Sequence, residues 1–531
     1  MKLKYFKAII PATALALSMN LTSCIGDLDT TPIDPNVSTE FQQDAVFAKI
    51  YATMGLTGQQ GPAGNGDVAD IDEGTSGFYR LIWNFNELAT DEAICSWGDP
   101  GIPELNFARW SSGHDQLAGL YGRFYFDVTL CNHFLEKTSG ATDEKSVKQR
   151  AEARFMRALN YYYLLDFFGN VPFTEVVASQ SPKQIKRADL YLYVEKELKE
   201  IENDMYEPRQ APYGRADKVA VWLLLSRLYL NAEVYTGKAQ WTEAATYAGK
   251  VMGSAYKLAS NYKNLFMGDN DKNADAMQEI ILPIRQDGVN TQSYAGASFL
   301  IASTHTKGMG SWGTSEGWGG NRGRMALAKK FFADGKLPEK SANTAAEAGD
   351  DRAIFVTYGE FLDDKGNTQV FETSLPIKDW NTFKEGVAVA KFSNSYSDGG
   401  TPSNTIFVDM DIPFMRVAEA YLTFAEATLR AGGDKGAAMN AVNELRKRAH
   451  ATELTDLTLN NVLDEKCREF YFEAQRRTDL IRYGYYTSGN YLWDWKGGSA
   501  TGVGVSSIYN LLPIPASDMN ANENLVQNPG Y

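Results

Sequence analysis

The 531-residue chain is short of the residues that usually betray chemistry: four cysteines and four histidines in all. One cysteine, Cys24, closes an N-terminal leader. The other three, Cys95, Cys131 and Cys467, allow at most one disulfide and exclude a disulfide scaffold. Basic charge is scarce as well. Lys and Arg number 52 against 66 Asp and Glu, for a formal charge of −14; loss of the leader, with three lysines and no acid, takes it to −17. A nucleic-acid binder, or a protein held to anionic lipid by charge, needs a basic face, and none is indicated. Beyond the leader no run approaches the roughly 18 consecutive apolar residues of a membrane-spanning helix. His114, His133, His305 and His450 lack metal-ligand spacing. There is no H-E-x-x-H, G-x-S-x-G, P-loop or post-strand G-x-G-x-x-G. A glycosidase needs only two acids that fold together, so that activity stays open as an alternative.

What is present begins with the leader, "MKLKYFKAIIPATALALSMNLTSC". A head with Lys2, Lys4 and Lys7 precedes an apolar run from about Ala8 to Leu17, too short to span a bilayer and suited to a signal segment. Leu21-Thr22-Ser23-Cys24 has the form of a bacterial lipobox, in which the cysteine thiol takes a diacylglycerol. Two or three acyl chains anchor stably where one does not. The reading is a signal peptide over 1–23, lipidation at Cys24, an acidic Pro-containing tether over 24–39, and one intertwined globular domain over 40–531. The early acids after Cys24 resemble surface-export signals of Bacteroidetes lipoproteins, which implies the outer face of an outer membrane.

Helical periodicity dominates both ends of the globular region. In "AEARFMRALNYYYLLDFFGNVPF", Phe155, Ala158, Tyr162 and Leu165 recur at three- and four-residue steps, and Gly169 and Pro172 supply a stop. Residues 214–252 read as a helix hairpin, with Trp222, Leu225 and Tyr229 on one face and Trp241, Ala244 and Ala248 on the other helix's face. Residues 415–449 repeat the pattern around Gly432-Gly433, and a further helix covers about 461–483. This large-then-small pattern resembles tetratricopeptide repeats. The predicted fold is mostly α, about four such hairpins carrying a large irregular, loop-rich face from 57–114 and 281–410. Loops that long in a compact chain usually serve function.

Two constellations stand out in those loops. Trp97, Tyr294 and Trp318 lie in Gly- or Asp-rich sequence, Trp318 within "GMGSWGTSEGWGGNRG" beside Trp312. Ordering a glycine-rich loop costs entropy and supplies little core. Such rings either cap satellite clusters or stand as flat platforms for the apolar faces of sugars. The second is "GDNDKNADAM", where Asp271, Asn273 and Asp275 alternate after Asp269, with Asp409 and Asp411 elsewhere. It is either a solvated acidic loop or a wrap of oxygen ligands for a hard cation such as Ca²⁺, and it is not an EF-hand.

The segments "RAEARFMRALNYYYLLDFFGNVPF", "RQAPYGRADKVAVWLLLSRLYLNA", "RVAEAYLTFAEATLRAGG" and "REFYFEAQRRTDLIRYG" resemble the hallmark segments of the SusD/RagB family of surface glycan-binding lipoproteins. "FYRLIWNFNELATDE", "AMQEIILPIRQDGV" and "YLWDWKGG" are most similar to a starch-binding member. The resemblance implies a non-enzymatic protein that binds α-glucan and passes it to a TonB-dependent outer-membrane transporter of the SusC type. It implies sugar contacts at Arg80, Trp97, Tyr294 and Trp318. It also implies a structural Ca²⁺ held by Asp271, Asn273, Asp275, Asp409 and Asp411. Two positions depart from it: Cys95 stands where the starch-binding member has a further tryptophan, and Pro100 falls at its sugar-bonding asparagine. Trp83 or Trp312 could substitute for the missing ring, and the ligand could be another glycan.

Overall fold

A computed structural model describes residues 40–531. The signal peptide, the lipidation site Cys24 and the tether over 24–39 lie outside the described residues. Phe47–Tyr531 forms one compact unit. The helices that matter here are α1 (Gln43–Gly55), α2 (Phe78–Trp83), α3 (Ile102–Asn106), α4 (Asp115–Lys137), α5 (Glu144–Phe167), α6 (Arg187–Ile201), α7 (Lys218–Leu230), α8 (Trp241–Met252), α9 (Ala297–Thr304), α10 (Ala418–Arg430), α11 (Lys435–Arg448), α12 (Leu459–Phe470) and α13 (Arg476–Arg482).

The long helices pair with their sequence neighbours: α4 with α5, α5 with α6, α7 with α8, α10 with α11. Their ends follow their sequences. Asp143 caps α5 by accepting from the Ser146 amide at 3.0 Å, and Asp217 caps α7. Gly169, at φ +76°, takes the left-handed conformation just past α5, as its position predicts. Gly432 does the same after α10, at φ +68°. The single apolar face expected of α7 is wrong in extent. Leu225 and Tyr229 are buried while Trp222 stays half-exposed, and Val219–Leu230 is otherwise buried on every side except there. The helix lies at the centre, against α6, α8 and α10.

The helix predicted over 461–483 is two. It breaks after Phe470, where Phe472 and Ala474 adopt φ +65° and +64°. The freed amides of Phe472 and Ala474 donate to Glu92 Oε2 and Glu87 Oε1. Glu473, between them, turns to Arg416 and Lys391. The break is where the scaffold grips the loop-rich half. Arg448 and Arg476 are buried in ion pairs with Glu279 and Glu469, and with Asp91.

Strand structure among the described residues is confined to two-stranded ladders. Antiparallel β1 (Ala93–Cys95) and β3 (Asn321–Gly323) pair with Cys95 opposite Asn321 and Ala93 opposite Gly323. β2 (Ile280–Ile284) pairs with β6 (Ile412–Arg416) across a bulge. A surface hairpin joins β4 (Tyr358–Leu362) and β5 (Thr368–Glu372). Cys95, Cys131 and Cys467 are free and buried. No described helix is long and apolar enough to cross a membrane.

Candidate functional site

The β1–β3 ladder brings two distant loops together. The last carbonyls of α9 have no partner within the helix. The glycine-rich segment satisfies them: Trp318 N, Gly320 N and Gly319 N donate to the carbonyls of Ala302, Ser303 and His305 at 2.6, 2.8 and 3.0 Å. The same segment runs into β3. Ser96 N then donates to Gly320 O at 2.9 Å, extending the ladder beyond Cys95. Trp97 and Trp318 therefore leave the same end of one small sheet.

Their rings lie 6.2 Å apart between centroids, tilted by 51°. Tyr294 continues the row, 5.9 Å from Trp318 at 55°, with Phe407 behind it at 4.9 Å. All three predicted aromatics are half-buried and contiguous. Gly320 makes room for the row: a Cβ there would sit 2.2 Å from the Trp97 indole. Trp318 Nε1 donates to Glu316 Oε2 at 2.8 Å.

Trp97 and Trp318 wall a cavity of about 660 Å³ that Arg80 also lines. Arg80 Nη1 donates to Gly74 O at 3.0 Å, and the guanidinium stacks 4.7 Å above the Phe299 ring. Its Nε is buried with no partner. Burial pulls its pKa down to about 10, against the charges of Asp72 and Asp99. Its hydrogen bond goes to a backbone carbonyl, where the ion-paired arginines of the core meet carboxylates. Asp70, Asp72, Asp99, Asp115 and Gln116 complete the wall. Sequence reasoning missed these. They come from two separate loops and the first turn of α4, with no common spacing, and only Asp99 shares a turn with a predicted residue.

The proposed substitutes for the missing ring are not in the site. Trp83 is fully buried and donates from Nε1 to Phe472 O at 2.9 Å. Trp312 packs on His305, centroids 5.1 Å apart, and on a satellite cluster with Met309, Val356 and Phe371. Cys95 is buried beneath the wall, its backbone N–H and C=O both held by the Asn106 amide, and burial pushes its thiol up to about 12. Pro100 lines the cavity without a side-chain polar group.

The five expected cation ligands separate. Asn273 does not face the others: its Oδ1 accepts from the amides of Asp275 and Ala276, capping a helical turn. Asp275 is turned to Ser260 and Asn261, accepting their amides at 2.6 and 3.0 Å. Asp271 remains within reach of the charges of both Asp409 and Asp411. Asp271 Oδ1 is buried without a donor. Asp411 accepts from the Gln286 amide at 2.6 Å and the Tyr213 hydroxyl at 2.7 Å, and burial pushes its pKa up to about 7. Among the described residues, no three His, Cys, Asp or Glu side chains are gathered into a ready-made metal cluster.

This mostly helical chain, with its aromatic row and polar cavity on inserted loops, matches one family. Residues 278–531 match its model, described as the SusD family. Residues 28–230 match a model described as "Starch-binding associating with outer membrane". The chain belongs to the SusD family. It is 46% identical, over the full length of both chains, to the starch-binding protein SusD of Bacteroides thetaiotaomicron. Among solved structures it superposes on a surface glycan-binding protein A of the same organism, in complex with laminarihexaose. That pair has a TM-score of 0.66, 19% identity, and coverage of 92% of this chain and 98% of the other. A SusD-like carbohydrate-binding protein of Bacteroides fragilis gives 0.69 at 19% identity, covering 91% and 98%.

Proposed function

We propose that this chain is a non-enzymatic surface protein that binds starch-like α-glucan on the Trp97–Trp318–Tyr294 row. Full-length identity to a starch-binding relative supports the ligand class. The observation that carries the site is the tilted pair Trp97 and Trp318 over a polar cavity. Sugar rings stack on the indoles and Tyr294, each platform adding about 1 kcal/mol beyond burial. Arg80 offers Nε and a fork of donors to adjacent hydroxyls, and the cavity's carboxylates accept from others. Nothing in the arrangement calls for a catalytic step.

In this reading the lipidated Cys24 anchors the protein at the outer face of the outer membrane. There it hands its glycan to a SusC-like TonB-dependent transporter, and its paired helices are tetratricopeptide-like. A hard cation, Ca²⁺ in our reading, is held by Asp271, Asp409 and Asp411 and offsets their mutual repulsion. Calcium then raises the unfolding temperature of the wild type over a chelated control, and leaves that of Asp271→Asn unchanged.

The site is tested by calorimetry on the full chain in detergent, with maltoheptaose and laminarihexaose, beside Trp318→Ala. Maltoheptaose binding that Trp318→Ala abolishes carries the reading. Binding of laminarihexaose alone would move the ligand to a β-glucan, and a Trp318→Ala protein with wild-type affinity would move the site.

A further inference from the structure

A second aromatic surface lies outside the cavity. Phe107, Trp380 and Trp495 come from three distant segments and meet at the surface, each half-buried. Phe107 stacks on Trp495 at 6.0 Å and 29°, and meets Trp380 edge-on at 5.5 Å and 85°. Each ring is placed from behind. Trp495 Nε1 donates to Ile377 O at 3.1 Å. Gly497 N donates to Phe107 O at 3.1 Å. Arg322, in the middle of β3, donates from Nη2 to Trp380 O at 2.7 Å. The backbone is also held in an unusual state. Trp495 sits at φ +67° and Ala108, next to Phe107, at φ +52°. A bulky residue in the left-handed region is an outlier, kept only where its surroundings over-determine it. Ordinary packing would bury the ring that required it; here the ring stays half in solvent. Lys378, Asp379 and Asn381 form an exposed polar rim.

One short helix joins the patch to the cavity. Ile102, in the first turn of α3, lines the cavity. Phe107 caps the other end of the same helix, about 7.5 Å along its axis at the helical rise. β3 likewise follows directly from the Trp318 segment and reaches Trp380 through Arg322.

We infer that Phe107, Trp380 and Trp495 form a second stacking platform, which takes the continuing neutral hexose chain of a glycan whose other part lies on the Trp97–Trp318 row. This rests on the glycan-binding reading of that row. The platform serves only ligands long enough to span both surfaces, so it makes affinity depend on chain length.

The test uses the full chain in detergent, titrated with α-1,4- and β-1,3-glucan series from trisaccharide through heptasaccharide to polymer. Wild type is compared with Trp318→Ala, Trp380→Ala and, to relieve rather than add backbone strain, Trp495→Gly, each first checked for an unchanged unfolding temperature. Trp380→Ala and Trp495→Gly are expected to weaken polymer binding by about fivefold, the worth of one aromatic contact, and to leave the trisaccharide unaffected. Wild-type affinity at every length in both variants overturns the inference while leaving the main site intact. An equal loss for the trisaccharide also overturns it, since the patch would then only support the first site. A wild type that binds neither glucan series overturns both readings.

Discussion

The joint around Arg416 and the pocket around Arg80 each hold an arginine, and they use it differently. Arg416 is fully buried, and every side of its fork is answered: Glu473 and Glu279 at 2.8 Å, Glu469 at 2.6 Å, and the Glu469 carbonyl at 2.9 Å. Arg352 and Arg448 share the same glutamates. This charged knot ties β6 and the break after α12 to the strand β2. Arg80 has one hydrogen bond, an aromatic ring beneath it, and an unpartnered Nε. A buried donor without a partner costs free energy in the unliganded protein. The first region has each side of its guanidinium answered and the second does not, so damage to each should be visible in a different measurement.

The largest effect is expected at the joint. Arg416→Met leaves three buried glutamates without their shared cation and should cost about 3–5 kcal/mol of stability. Urea unfolding monitored by circular dichroism measures it, and a loss below about 1 kcal/mol would dissolve the distinction between the regions. Arg80→Gln should do the reverse. Glycan affinity falls about tenfold or more, the worth of charge-assisted hydrogen bonds. The unfolding midpoint stays within about 1 kcal/mol, since no buried carboxylate is orphaned. A variant that binds normally but unfolds early would make Arg80 a structural residue.

A pH-dependent effect sharpens the comparison on the scaffold side. Asp127 of α4 is buried, accepts from Thr53 Oγ1 at 3.1 Å and from Asn160, and burial pushes its pKa up to about 7. An unfolded aspartate titrates near 4. The folded state therefore holds this proton more tightly. Its contribution is complete below about pH 4 and is lost as pH rises through about 7, by at most about 1.4 kcal/mol per pH unit. Thermal unfolding at pH 5 and pH 8 should show this decline, and Asp127→Asn should flatten it. An unchanged slope would place the pH dependence elsewhere.

Much of the scaffold was readable because helices announce themselves locally: Asp143, Gly169 and Gly432 mark ends within a few residues of what they terminate. The break at Phe472–Ala474 was not readable. Its cause lies in Glu87 and Glu92, nearly 400 residues earlier in sequence, which draw the amides out of the helix. The aromatic row was found because tryptophans in glycine-rich sequence have no local core to join. The same reasoning pointed equally at Trp312, which does have a core, built from Met309, Val356 and Phe371. Composition identifies rings that need an explanation; only the fold says which have a partner. The structure divides the cation set in part for a local reason. Asn273 in an alternating acidic run is also a good helix cap, and the backbone claims its oxygen.

Gly320 has no side chain to offer a ligand, yet it decides whether the wall exists. Its α-hydrogen faces the Trp97 indole at a distance no methyl group could occupy. One nucleotide change, turning that codon from glycine to alanine, would evict the indole without altering any residue a sugar meets. The wall can therefore be lost in a single mutational step and regained by reversion. Such blind variants would carry every ligand-facing residue intact, and surveys that score only those residues would count them as functional.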